Sequence, residues 1–135
     1  MPGLEIGMKA SRTQTITAED VAAFAKITGD NNPVHLDEAY AKTTRFGRRI
    51  AHGIFGASII SAVLANDLPG PGTVYMRQSL DFKAPVYIGD TITATVEITN
   101  YRAQSRIATL KTTCANQQGT VVIDGEAVVM VARKT

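Results

Sequence analysis

The stretch 53–65 constrains the fold more than any other part of the chain. Its large residues, Ile54, Phe55, Ile59, Ile60, Val63 and Leu64, are separated only by Gly56, Ala57, Ser58, Ser61, Ala62 and Ala65, and no position is charged. At 3.6 residues per turn these side chains cover every side of a helix, and a helix that is apolar all round has to be enclosed. The weakly polar run 50–65 is shorter than the roughly 20 apolar residues that a membrane span needs, and it contains His52, Ser58 and Ser61. It therefore reads as the buried helix of a globular protein with no membrane partner. The Pro- and Gly-rich run 66–72 ends it.

What encloses this helix follows in the sequence, where the apolar period changes from about 3.6 to 2. Val74, Met76, Leu80 and Phe82 alternate with Thr73, Tyr75, Arg77, Ser79 and Asp81; Ile92, Ala94, Val96 and Ile98 alternate with Thr91, Thr93, Thr95, Glu97 and Thr99. These patterns predict half-buried antiparallel strands. Two more strands are expected over 105–116 and 120–132, joined by Gln117-Gln118-Gly119, and Gly125 inside the last one predicts a bulge. Upstream, a short strand is expected over 9–16. A helix over 17–28 follows, with Thr17 as its cap, Glu19 and Asp20 at its positive end and Gly29 at its stop. A short amphipathic piece at 36–42 and a basic loop at 43–49 complete the chain.

Helices first and then a run of long strands make an α+β arrangement, an antiparallel sheet wrapped about one central helix. A sheet of four or five strands covers only part of such a helix and leaves its edges open, so a second copy is expected to supply the rest and the chain is expected to be a homodimer. At 135 residues the whole chain, 1–135, is expected to form one domain with a core of ordinary stability. Fourteen Lys and Arg against 12 Asp and Glu give a net charge of +2, far from the concentrated basic stripe that a nucleic-acid partner requires. The single cysteine, Cys114, excludes an intrachain disulfide and multi-cysteine zinc motifs, and suits a reducing compartment. The N-terminus shows no basic region followed by an apolar run, so no signal peptide is expected and the cytoplasm is the expected location.

Two histidines, His35 and His52, stand where regular structure breaks or begins. His35 closes the run Thr28-Gly29-Asp30-Asn31-Asn32-Pro33-Val34-His35, in which the Pro turn can fold the imidazole back beside Asp30. A carboxylate and an imidazole facing one small space can share a water, one taking its proton and the other delivering one. The helix C-terminus behind Asp30 is expected to disfavour its charged form. The same residues also read as a plain turn, with Asp30 and Asn32 bonding their own backbone and His35 packing. His52-Gly53 begins the apolar helix, where free N–H groups and the positive dipole end favour a developing negative oxygen and a glycine admits a substrate carbonyl closely. Alternatively Gly53 packs tightly and His52 is a partly buried hydrogen-bonding group. A metal set of His35, Asp37 and His52 has little else in the chain to support it. Cys114 reads as a small buried hydrophobe rather than a nucleophile. Lys42, Arg45, Arg48 and Arg49 form either a solvated connector or an attraction for a phosphorylated carrier.

The run from Phe24 through His35 to Ala41 resembles the hydratase-2 motif of the MaoC-like family. Ile50-Ala51-His52-Gly53 is similar to that family's helix start, and Phe82-Lys83-Ala84-Pro85-Val86-Tyr87-Ile88-Gly89-Asp90 to the segment leading into its sheet. Ala51 and the arginines before it lie outside the family's pattern. The likeness covers nearly the whole chain and is strongest to the short, single-domain (R)-specific enoyl-CoA hydratases that supply polyhydroxyalkanoate synthesis. It implies a hot-dog fold, a dimer, an acyl-CoA thioester substrate, no cofactor and no metal. It also implies that Asp30 and His35 are the catalytic pair, that the Gly53 N–H polarises the thioester carbonyl and that Asn32 supports the pair. Ser61, Leu64 and Val129 then fall where the family lines its acyl pocket. Within the same superfamily, a dehydratase for another acyl thioester, a hot-dog thioesterase or a non-catalytic acyl-CoA-binding subunit are the competing expectations.

Overall fold

The computed structural model describes residues 3–133. Strand β1 (Lys9–Thr15) leads into helix α1 (Ala18–Thr28). Thr17 caps α1 as expected: its hydroxyl accepts the Asp20 N–H at 3.0 Å, and the Asp20 carboxylate accepts the Thr17 N–H at 3.1 Å. These reciprocal bonds hold the Asp20 carboxyl below its ordinary pKa. Gly29 ends α1 in the left-handed conformation, φ 78°, donating its N–H to Ala25.

The piece expected over 36–42 is instead two short helices, α2 (Pro33–Leu36) and α3 (Glu38–Lys42). The cause is local. Asn32 caps α2 through Val34 N–H with Pro33 at the first helical position, and the extended Asp37 ends α2 while capping α3 through Tyr40 N–H at 3.1 Å. Residues 43–49 are irregular, as expected, and lead to α4 (Gly53–Asn66).

The rest is sheet: β2 (Val74–Phe82), β3 (Thr91–Arg102), β4 (Ile107–Ala115) and β5 (Val121–Met130), every pair antiparallel, in the order β1-β3-β4-β5-β2. Helix α4 lies across β3, β4 and β1. Ile60, Val63 and Leu64 are fully buried against Ile92, Val96, Ile98, Leu110 and Val129, each contributing about 1.5–3 kcal/mol by leaving water. The alternation expected for β3 holds, with Ile92, Ala94, Val96 and Ile98 all inside.

As expected, the sheet covers only part of α4: Ile54 is 54% exposed and Ser58 and Ala65 are open. Two expectations are corrected. Strand β2 is not half-buried, since Val74, Met76 and Phe82 are each more than half exposed and only Leu80 packs on the core. It is an edge strand, and a register shift between Tyr75 and Arg77 breaks its alternation. Gly125 is not a bulge either, because its pairing with Leu80 and Thr112 runs without a shift. Glycine is required there because a side chain would fall on the Ser79 carbonyl of β2.

Candidate active site

The turn after α1 and the start of α4 meet at two stacked imidazoles. His35 and His52 lie face to face with ring centroids 3.9 Å apart and planes at 29°, and both are buried. His35 Nδ1 is 2.7 Å from the Ile50 carbonyl oxygen. A carbonyl only accepts, so Nδ1 carries the hydrogen and Nε2 of the neutral ring keeps a free lone pair. Burial lowers the pKa of His35 from its ordinary value; the Ile50 bond opposes this, His52 adds to it and the Asp30 charge opposes it. Neutral His35 is thereby a proton acceptor in the physiological range.

By the same rule His52 donates from Nε2 to the Asp30 backbone carbonyl at 2.9 Å. A carboxylate oxygen of Asp30 and one ring nitrogen of each histidine lie within 4.8 Å of one another. That is a gap one water closes with two hydrogen bonds of about 2.8 Å. The Asp30 carboxylate is exposed and accepts the Asn32 N–H at 3.3 Å, while the Asn32 carbonyl accepts the His35 N–H at 3.0 Å. Asp30 and Asn32 make the turn bonds of the plain-turn reading, and the same turn brings the carboxylate beside the imidazole. Asn32 touches the pair through its backbone, its side chain being occupied in capping α2.

Gly53 is the first residue of α4, which has no side-chain cap. It shares with His35 a cavity of about 270 Å³, walled by apolar Ala51, Val86 and Ile123. A Cβ at Gly53 would come within 2.9 Å of the Phe82 ring, so tight packing and access to the backbone both call for glycine here. Ser61, Leu64 and Val129 do not wall this cavity: Leu64 and Val129 belong to the core and Ser61 is half-buried on α4.

Arg45 and Lys83 also line the cavity, a cationic side that charge counting along the sequence could not single out. The basic loop is not a free connector. Arg48 sits 4.0 Å over the Tyr87 ring, Arg45 lies over Phe46, and Arg49 donates to the His35 carbonyl at 2.7 Å. Asp37 caps α3, so the metal set proposed with it lacks its carboxylate; it is Asp30 that lies beside the two histidines instead. Burial pushes the Cys114 thiol up to about 12, which leaves it inert as a nucleophile.

Known proteins resemble this chain in sequence and fold. The chain is 53% identical over 125 residues to a Rhodospirillum rubrum protein named (R)-specific enoyl-CoA hydratase, covering 93% of this chain and 86% of that one. It is 49% identical over 131 residues to a Methylorubrum extorquens protein named 3-hydroxybutyryl-CoA dehydratase, covering 97% and 83%. The structure superimposes on the (R)-hydratase from A. caviae involved in PHA biosynthesis with a TM-score of 0.94 and 47% identity, over 98% of this chain and all of that one. That likeness identifies the sheet and helix as the hot-dog fold. The MaoC like domain model matches residues 4–120, and the chain belongs to that family.

Proposed function

We propose that this protein is an enoyl-CoA hydratase that adds water to trans-2-enoyl-CoA to give (R)-3-hydroxyacyl-CoA, reversibly and without a cofactor. The observation that carries this reading is the Asp30 carboxylate and His35 imidazole within 4.8 Å of one another beside the uncapped start of α4.

In an enoyl thioester the carbonyl is conjugated with the double bond, so a hydrogen bond to its oxygen withdraws electrons from C3. The Gly53 N–H, at the positive end of α4, is placed to make that bond and to stabilise the enolate oxygen that forms. Asp30 and His35 hold the water. As its oxygen bonds to C3 the pair takes one proton, and the same pair returns one proton to C2 as the enolate collapses. The pair ends as it began. Both new bonds form on the face where the water sits, which sets one configuration at C3. Within the cavity, Ala51, Val86 and Ile123 suit an apolar acyl chain, and Arg45 and Lys83 suit the phosphorylated arm of the thioester.

The chain acts as one domain and pairs with a second copy. The exposed edge residues Val74, Met76 and Phe82 and the uncovered Ile54 support this, since an open apolar edge strand is a surface for another strand. Longer acyl chains would extend past the cavity, and Ser61, Leu64 and Val129, which lie outside its wall, are the residues such an extension would meet, Leu64 setting its depth. Among the described residues no helix is long and apolar enough to cross a membrane, and we place the enzyme in the cytoplasm. The test is loss of enoyl absorbance with crotonyl-CoA followed by chiral analysis of the product. An (R) product supports the reading, and release of free CoA without hydration defeats it.

A further inference from the structure

His52 is 3% exposed, yet its Nδ1 has no hydrogen-bond partner among the described residues. An unpaired buried acceptor costs about 1–3 kcal/mol, so the ring's other contacts have to offset it. Those contacts reach each group of the site. Nε2–H donates to the backbone carbonyl of Asp30, one face stacks on His35, and the next residue in the chain is Gly53. Phe24 of α1 packs against the ring at 5.0 Å and itself stacks on Phe55 of α4 at 5.1 Å, which fixes the imidazole between the two helices. The Asp30 carbonyl only accepts, so Nε2 carries a hydrogen.

We propose that His52 is the positioning residue of this site, a ring that fixes the Asp30 backbone by a hydrogen bond and the His35 ring by stacking, and so sets both against the Gly53 N–H. This rests on the reading of Asp30, His35 and Gly53 as the reacting groups. In this reading His52 is not itself a reacting group. It acts by keeping the carboxylate-to-imidazole gap at the width of one water, and a misplacement of about 1 Å costs on the order of 100-fold in rate.

Two variants separate its contacts. His52→Gln keeps an N–H for the Asp30 carbonyl and loses the stack; His52→Phe keeps the stack and loses the donor. Crotonyl-CoA kinetics and thermal melts on both, with ¹⁵N-histidine and backbone amide NMR on both and on the parent, give the readouts. Expected are melting temperatures near the parent's, kcat lower by about 10- to 100-fold in each and KM changed only a few-fold. In the parent, His52 is expected as the Nε2–H tautomer, and the Asp30 amide and His35 ring resonances are expected to move in His52→Phe. Parental kcat in either variant overturns the proposal. If the parent enzyme shows no hydratase activity, the hydratase reading fails by itself and NMR decides the positioning: displaced Asp30 and His35 resonances support it, unchanged ones overturn it.

Discussion

Asp30→Asn separates the two tasks that the Asp30 side chain performs. Asp30 Oδ1 accepts the Asn32 N–H at 3.3 Å, and the carbonyl oxygen of an asparagine side chain accepts in the same place. The turn, the cap on α2 and the position of His35 are all expected to survive. Since the carboxylate is exposed, stability should change by no more than about 0.5 kcal/mol. What asparagine cannot do is take a proton from water. Positioned proton transfer contributes about 10²- to 10⁴-fold, so hydration of crotonyl-CoA should slow by that factor, about 2.7–5.4 kcal/mol in the barrier at 1.36 kcal/mol per tenfold. Asp30→Ala should lose the same activity and, in addition, about 1 kcal/mol of stability with the turn bond. The assay is kcat/KM from enoyl absorbance beside a thermal melt of each variant. Asp30→Asn with activity within about threefold of the parent would refute the argument, because the turn alone would then account for Asp30.

Gly125→Ala should cost about 3 kcal/mol or more in a urea melt, since its methyl would fall on the Ser79 carbonyl and neither strand can yield without breaking the β2–β5 pairing. The His35 effect on stability has a definite sign. Its folded pKa lies below the unfolded value of about 6.5. The unfolded chain therefore binds the proton first, and stability present above about pH 6.5 is lost as the pH falls towards the folded pKa. Melts across this range should show that loss, and His35→Gln should reduce it. Leu64→Ala should cost about 2–5 kcal/mol and broaden acceptance from crotonyl-CoA towards octenoyl-CoA; unchanged selectivity would remove Leu64 from the acyl site. Sedimentation at micromolar concentration should give twice the chain mass of 14.4 kDa, with Met76→Glu on the exposed edge shifting it to the monomer.

The parts of the fold legible in the sequence are those decided locally. Thr17 and Gly29 bound α1 through caps whose partners lie within four residues, and the alternation of β3 is set by one buried face. Strand β2 misled because alternation records which residues could be buried rather than what covers them; its apolar face waits at a sheet edge. Gly125 misled because the contact that requires it comes from the Ser79 backbone, distant in sequence and independent of side-chain type. At the site, the motif run placed Asp30 and His35 together, as the turn chemistry suggests. The stacking of His35 on His52 and the convergence of Arg45 and Lys83 on one cavity depend on how α1, α4 and the segment after β2 pack, and no spacing along the chain records that.

The central claim is that a carboxylate, an imidazole and a backbone N–H add water to one face of an enoyl thioester. The most direct measurement is the stereochemistry of that addition: crotonyl-CoA hydrated in deuterated water, with the configuration at C3 and the deuterium at C2 read on the product. The account predicts (R)-3-hydroxybutyryl-CoA with hydroxyl and deuterium added to the same face. An (S) product, or addition to opposite faces, would contradict it.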